Sequence, residues 1–170
     1  MARLHVKSLP PCSGRTLVVG DVHGCAEEFE TLLRAFSPST HDRLVAVGDL
    51  VNRGPDSAAV LQTARQFGIH CVLGNHEMRL LQAWLGNNPD LLKPKDRETF
   101  AQLSGPDWEW MASWPHVIRI PSLNTLIVHG GFAPGIDWRE QDPEGVARIQ
   151  VIDARGVPAK RSEAPSGRPW

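Results

Sequence analysis

The stretch Gly48-Asp49-Leu50-Val51-Asn52-Arg53-Gly54 decides the fold that this sequence predicts. It follows the apolar, β-branched run 44–47, which is typical of a buried strand. A carboxylate, an amide and an arginine therefore stand between two glycines where a strand ends. Such a loop offers an oxygen ligand for a cation and a planar, two-pronged donor for oxyanions.

Three other motifs along the chain have the same arrangement. They are Gly20-Asp21-Val22-His23-Gly24 after the run 16–19, Gly74-Asn75-His76-Glu77 after 71–73, and His129-Gly130-Gly131 after 126–128. Between the motifs, apolar residues recur at helical spacing over 29–36, 60–67 and 78–85. Alternating strands and helices predict an α/β fold, in which ligands bind beyond the carboxyl ends of the strands.

Five of these side chains form a candidate two-metal site: Asp21, His23, Asp49, Asn75 and His129. Asp21 and His23 can hold one cation, and Asp49 can bridge two. Because Asp49 can bridge, we expect two divalent ions. Mixed oxygen and nitrogen ligands are typical of transition-metal ions, and we expect Mn, with Fe, Zn, Co or Ni as alternatives. Two such ions can activate water and clamp a phosphoryl group, so the pattern predicts a metal-dependent hydrolase of phosphate esters or phosphoanhydrides.

Two neighbouring residues are candidates for the remaining chemistry. His76 follows a proposed ligand by one position and can protonate the leaving oxygen. Arg53 can hold phosphate oxygens. The simpler alternatives are a histidine in the first turn of a helix and an arginine in a surface turn.

The composition limits the class of protein. With 170 residues the chain is expected to form a single domain, 1–170, and the net charge of −1 gives no general attraction to nucleic acid or to a membrane. No run of 18 apolar residues and no secretory signal is seen. Three irregularly spaced cysteines do not form a disulfide framework, so we expect a cytoplasmic location.

Two segments stand apart from the motif-bearing core, 14–133. The segment 87–115 is polar and carries Trp108, Trp110 and Trp114, and we expect helical turns at the edge of the site, with the tryptophans either stacking on a substrate or covering the core. In the segment 134–170 the periodicity fades. Val151 and Ile152 suggest a short strand, and the tail from Val157 to Trp170 is expected to be poorly ordered unless something packs on it.

The motifs resemble the phosphoprotein-phosphatase branch of the calcineurin-like metallophosphoesterases. The resemblance rests on 48–57, on 72–77 and on the closing Gly167-Arg168-Pro169-Trp170, and is greatest to the symmetrical diadenosine-tetraphosphatase (ApaH-like) group. It implies a two-sheet β-sandwich core flanked by helices. It also implies in-line attack of a metal-bound hydroxide on phosphorus, and a dinucleoside polyphosphate or another nucleotide as substrate.

The resemblance also implies roles for single residues. It gives the metal role to the five candidates above, phosphate contact to Arg53 and Asn75, and proton donation to His76. Asn52 stands where protein phosphatases usually have an aspartate that braces the acid histidine. For the family's phosphate-binding arginine, the register places Gln150 at the position, and Arg148 is the nearest candidate.

One family motif is missing, because no Gly-His pair follows Trp170 to supply the last histidine ligand. The sequence is therefore expected to be either a fragment, truncated at the C-terminus, or a weakened enzyme. Two alternatives stay open: a serine/threonine phosphoprotein phosphatase, and a phosphate-binding regulatory module with little turnover.

Overall fold

Three parallel strands form the sheet that carries the motifs. The computed structural model describes residues 3–169. The sheet has the order β2 (Thr16–Val19), β3 (Arg43–Ala46) and β4 (His70–Cys71). All four residues of β3 are buried, as expected of a central strand that is covered on both faces.

A second sheet packs against the first. It consists of β1 (Val6–Ser8), β5 (Val117–Ile120) and β6 (Thr125–Ile127), with β1 and β5 parallel and β5 and β6 antiparallel. Val45 of β3 clusters with Ile118, Ile120 and Ile127 of this sheet, whereas its neighbours Leu44 and Ala46 belong to the larger, helix-covered core. This alternation confirms the predicted α/β architecture with two sheets and flanking helices.

Helices follow the strands as the periodicity predicts. The first three are α1 (Ala26–Phe36), α2 (Ser57–Gln66) and α3 (Asn75–Leu85). In α1 the inward residues Phe29 and Leu33 are buried. Asp56 caps the N-terminus of α2, and its side chain accepts a hydrogen bond from Ala59 N at 2.8 Å. Because α3 starts at Asn75, three motif residues, Asn75, His76 and Glu77, occupy its first turn.

The tryptophan-rich segment is helical, with a 3₁₀ turn at Pro89–Leu91, then α4 (Pro94–Gln102) and α5 (Gly105–Ala112). Trp108 and Trp114 are each only 4% exposed and belong to the main core. The Trp108 ring stacks on Trp84 with centroids 5.8 Å apart. Trp108 and Trp114 therefore cover the core, which is one of the two roles predicted for them, and do not form a platform for a substrate. Trp110 is half-buried and lies against the Arg65 guanidinium.

The C-terminal segment contains more structure than the sequence predicts. After α6 (Pro143–Val146), the short strand β7 (Val151–Ile152) pairs with β8 (Pro158–Ala159) and β9 (Arg168–Pro169). Up to residue 169 the tail therefore meets the condition under which order was expected, because β8 and β9 both pair with β7. The sequence did not reveal these two strands, because two residues are too few to produce an alternating pattern. Trp170 of the predicted closing motif lies outside the described residues.

Among residues 3–169, no helix has both the length and the apolar character that crossing a membrane requires.

Candidate metal centre

Backbone hydrogen bonds hold the first two motif loops together at the carboxyl ends of β2 and β3. His23 N donates to Asp49 O at 2.9 Å, and Gly24 N donates to Leu50 O at 2.8 Å. Gly54 N donates to His23 O at 2.7 Å. The parallel sheet order thus brings together side chains that are far apart in sequence.

A buried carboxylate ties the second motif loop to the third. Glu77 is fully buried, and its Oε1 accepts from Leu50 N at 2.8 Å and from Val51 N at 3.3 Å. Its Oε2 accepts from Asp49 N at 2.8 Å and from Gly74 N at 2.9 Å. Burial and the nearby Asp49 carboxylate raise the pKa of Glu77 to about 7, while the backbone donors oppose this rise.

Two glycines allow these loops to approach closely. A Cβ on Gly48, whose φ is +90°, would lie 2.5 Å from Gly74 N, and a Cβ on Gly74 would collide with the Asp49 carboxylate. No larger residue fits at either position without displacing the backbone that supports Asp49.

Four residues without glycine's freedom adopt left-handed backbone conformations here. His23 and Asp49 have φ of 51°, and Asn52 and Arg53 have φ of 70° and 68°. Each such conformation costs about 1–2 kcal/mol for an ordinary residue. Strained residues cluster where their side chains must be aimed, so this cluster marks the loops as a functional site.

The Oδ2 atom of Asp49 is the geometric centre of the site. It lies 3.4 Å from His129 Nε2, 3.7 Å from His23 Nε2 and 4.0 Å from His76 Nε2. The Asp49 side chain is 3% exposed, and its Oδ1 accepts a hydrogen bond from His76 N at 2.9 Å. Asp49 therefore occupies the position that a bridging carboxylate requires.

The histidines His23 and His129 are oriented as metal ligands are. His23 Nδ1 lies 3.1 Å from Val51 O, and His129 Nδ1 lies 2.8 Å from Val47 O. Because a carbonyl oxygen only accepts, each Nδ1 carries a proton, which leaves Nε2 as the ligand atom of the neutral ring. His23 Nε2 is buried and has no hydrogen-bond partner among residues 3–169.

The donor atoms also have the separations that a cation needs. The Oδ2 of Asp21 lies 3.6 Å from His23 Nε2, close to the roughly 3.0–3.4 Å expected between two ligands bound about 2.1 Å from one ion. Asp21 is half-exposed, and its Oδ1 lies 4.0 Å from His129 Nδ1. Asn75 begins α3 directly after Gly74 and is half-buried. The donor atoms of Asp21, His23 and Asn75 fit divalent metal binding. The ligand atoms of His23, Asp49 and His76 also lie within 4.8 Å of one another and form a candidate metal-binding cluster.

His76 belongs to this cluster and lies between two guanidinium groups. Its Nδ1 lies 3.0 Å from Asn52 Nδ2 and 3.2 Å from Arg79 Nη2, and its Nε2 lies 3.4 Å from Arg53 Nη2. Its pKa is lowered to about 4, first by burial; Asp49 opposes the shift, and the charge of Arg79 adds to it. His76 also lies within 4.8 Å of the ligand atoms of His23 and Asp49, but its two cationic neighbours disfavour a metal ion on this ring.

Sequence reasoning missed two residues here, Arg79 and Asp96. Arg79 stands three residues after His76 on α3, so the two side chains share one face of the helix. Its Nε donates to Asp96 Oδ2 at 2.8 Å, and Asp96 of α4 is 4% exposed. The i, i+3 spacing was the available signal, whereas the partner on α4 depends on tertiary packing.

Arg148 is not brought to this centre. Its Nη1 pairs with Glu144 Oε1 at 2.5 Å across one helical turn, and it lines a separate cavity with Ile136 and Lys160. The phosphate contact predicted for Arg148 therefore finds no support in its position. The other eight predicted residues all come from the motif loops that meet around Asp49.

The fold and this donor set belong to a known class. Residues 14–162 match the calcineurin-like phosphoesterase family, and the chain belongs to that family. A crystal structure of a protein provisionally described as a diadenosine tetraphosphatase superposes with a TM-score of 0.83 at 34% identity, covering 98% of this chain and 73% of that one. A serine/threonine phosphatase from Saccharomyces cerevisiae, at 21% identity and a TM-score of 0.53, shares the fold.

Curated relatives carry a more specific name. The symmetrical bis(5'-nucleosyl)-tetraphosphatase of Psychromonas ingrahamii is 37% identical over 140 residues, which are 78% of this chain and 49% of that protein. The protein of the same name from Acidovorax sp. (strain JS42) is 43% identical over 118 residues, or 66% and 39% of the two chains. The chain thus spans about half the length of the curated relatives it matches.

Proposed function

We propose that this chain is a metal-dependent phosphohydrolase that cleaves a phosphoanhydride bond of a dinucleoside polyphosphate. The observation that carries the proposal is the position of Asp49 Oδ2, which lies within 4.0 Å of three imidazole Nε2 atoms. One of these atoms, His23 Nε2, is buried and has no hydrogen-bond partner in the described part of the chain. The substrate class is inferred from the relatives named symmetrical bis(5'-nucleosyl)-tetraphosphatase.

The five predicted ligands would hold two divalent ions, for which Mn is our first expectation. Asp21 and His23 would hold one ion, Asn75 and His129 the other, and Asp49 would bridge them. Two bound ions activate water and withdraw charge from the phosphoryl group. The carbonyl groups of Val47 and Val51 keep both histidines in the tautomer that such binding needs.

The remaining polar groups would act on the substrate. Arg53 is exposed, next to His76, and can bind the non-bridging oxygens of the reacting phosphate. His76 is neutral near pH 7 in the free protein because burial lowers its pKa. A phosphate dianion against Arg53 would bring the negative charge that favours a proton on His76, and His76 Nε2 would then pass that proton to the leaving oxygen.

The products of diadenosine tetraphosphate test this proposal. The Mn-loaded chain is incubated with the dinucleotide, and the products are separated by ion-exchange chromatography. We expect ADP alone, because symmetrical cleavage places two phosphates on each adenosine. Equal amounts of AMP and ATP would show cleavage at an outer bond and would contradict the symmetrical assignment.

Two further substrates separate the alternatives. A phosphoserine peptide hydrolysed faster than the dinucleotide would favour a protein phosphatase, for which the chain has a likeness of fold alone. Phosphate binding without turnover of p-nitrophenyl phosphate would favour a regulatory module. For the variant Asp49→Asn, the matched control is Asp90→Asn, since the Asp90 side chain is 88% exposed and lies outside the site.

A further inference from the structure

A polar cavity of about 300 Å³ is lined by Arg53, the residue proposed above to bind the reacting phosphate. One wall is the loop Arg53–Pro55, and the other is α4, with Lys95, Glu98, Thr99 and Gln102. Arg53 contributes to this cavity and also lies 3.4 Å from His76 Nε2. The cavity and the metal centre therefore meet at one guanidinium group.

Hydrogen bonds make this cavity a built feature of the fold. Gln102 Nε2 donates to Pro55 O at 3.2 Å, and Ser57 N donates to Gln102 Oε1 at 3.2 Å, so α4 is tied to the loop. Thr99 is 3% exposed. Gly54 lies directly against the first motif loop: its N–H donates to His23 O at 2.7 Å, and a Cβ there would collide with that oxygen. The loop is therefore held between the metal centre and α4.

The charges in the cavity define what it can accept. Lys95 is exposed and makes no ion pair among residues 3–169, and Glu98 likewise has no cationic partner there. Two cations, Arg53 and Lys95, then face one carboxylate, which leaves an excess of positive charge. Such a surface attracts an anion, while Glu98 can accept hydrogen bonds from sugar hydroxyl groups.

We infer that this cavity is a second subsite, which binds the part of a nucleoside polyphosphate beyond the reacting phosphorus. The next phosphate would lie between Arg53 and Lys95, with the sugar hydroxyls toward Glu98. This inference rests on the proposed function, because it assumes that the reacting phosphate occupies the metal centre. It distinguishes a polyphosphate ester from a simple phosphomonoester, which has nothing to place there.

A matched pair of non-hydrolysable ligands tests the subsite. Calorimetry on the Mn-loaded chain, with the same free Mn²⁺ in cell and syringe, compares methylenebisphosphonate with methylphosphonate. The two ligands differ only by one phosphonate group, so the ratio of their affinities measures how much that second group contributes to binding. We expect Lys95→Ala to lower this ratio about five-fold, the size expected for one charged contact near the surface. Removing the opposing carboxylate with Glu98→Gln should raise it.

The control is Lys93→Ala, which removes the same charge two residues away, where the side chain is exposed and outside the cavity. An unchanged ratio in Lys93→Ala together with a lower ratio in Lys95→Ala supports the subsite. An unchanged ratio in Lys95→Ala, or an equal fall in both variants, overturns it, as does tighter binding of a phosphoserine peptide than of methylenebisphosphonate.

Turnover of p-nitrophenyl phosphate by the unmodified chain separates the two proposals. If turnover is present and the affinity ratio does not depend on Lys95, the subsite alone is wrong. If the chain binds neither metal nor either phosphonate, the proposed function is wrong, and the subsite falls with it.

Discussion

Single side chains in this site serve several partners at once, and Asp49 is the clearest example. One of its oxygens accepts the backbone N–H of His76, and the other faces the Nε2 atoms of His23 and His129. Sequence spacing could predict these residues because each stands at a strand end. It could not predict that Val47 and Val51 would fix the tautomers of the histidines, since those carbonyl contacts depend on the loop conformation.

His76→Asn tests the proposed proton donor at this scale. General acid catalysis typically contributes about 10²–10⁴-fold, so hydrolysis of an alkyl phosphate should fall within that range. Hydrolysis of p-nitrophenyl phosphate should fall far less, because nitrophenolate leaves without a proton. Initial rates on both substrates, with metal content measured in parallel, check this prediction.

The exposed His41 supplies the matched control, His41→Asn, which should leave both rates unchanged. Equal losses on the two substrates in His76→Asn, with metal content retained, would show that His76 positions the site without donating a proton.

Among the structural elements, the start of α3 supports the site through Glu77. Each of its carboxylate oxygens accepts hydrogen bonds from two backbone N–H groups, and three of the four donors belong to the loop after β3. That contact crosses 26–28 residues of sequence and requires α3 to pack against the loop, so local pattern could not reveal it.

Glu77→Gln should therefore destabilise the fold. Replacing one oxygen with an amide nitrogen leaves two buried N–H groups without an acceptor, at about 1–3 kcal/mol each. We expect the free energy of unfolding in urea to fall by about 2–6 kcal/mol. The exposed Glu109→Gln should change it by less than about 0.5 kcal/mol, and a similar small change in Glu77→Gln would refute the bracing role.

A second link between elements lies at the start of β3. Arg15 Nη2 donates to Asp42 Oδ2 at 2.8 Å and also to the carbonyl oxygens of Phe36 and Ser37 at the end of α1, both at 3.2 Å. The Arg15 side chain, and then the Ser39 backbone N–H, hold the pKa of Asp42 well below its usual range. The charged form of Asp42 is thus the one that stabilises the fold.

This shift has a defined pH dependence. The pKa of an aspartate in the unfolded chain is about 3.9. The stabilisation is therefore present above that pH and is lost as the pH falls toward the lower pKa of the folded state. The difference in unfolding free energy between the native chain and Asp42→Asn should therefore shrink between pH 6 and pH 3. Urea titrations across this range measure it, and a difference that grows toward acid would contradict the ion pair.

Over the whole molecule, the longer strands were predicted from the sequence more accurately than the two-residue strands of the C-terminal segment. Strand β2 was predicted with its observed bounds, and β3, with its burial on both faces, to within one residue, because apolar runs of four residues are distinctive. The three two-residue strands of the C-terminal segment, β7 to β9, carry almost no periodic signal. Only Val151 and Ile152 were recognised, and the pairing of the later strands depends on contacts far along the chain.

We propose that Asp49 joins the four motif loops into one centre for divalent ions. Titration of the metal-free chain with Mn²⁺, followed by electron paramagnetic resonance of the free ion, measures how many ions the chain binds. We expect tight Mn²⁺ binding by the native chain and by Asp90→Asn, and loss of at least one bound ion in Asp49→Asn, because the bridging charge is gone. Equal Mn²⁺ binding by Asp49→Asn and by the native chain would show that Asp49 does not bridge two ions.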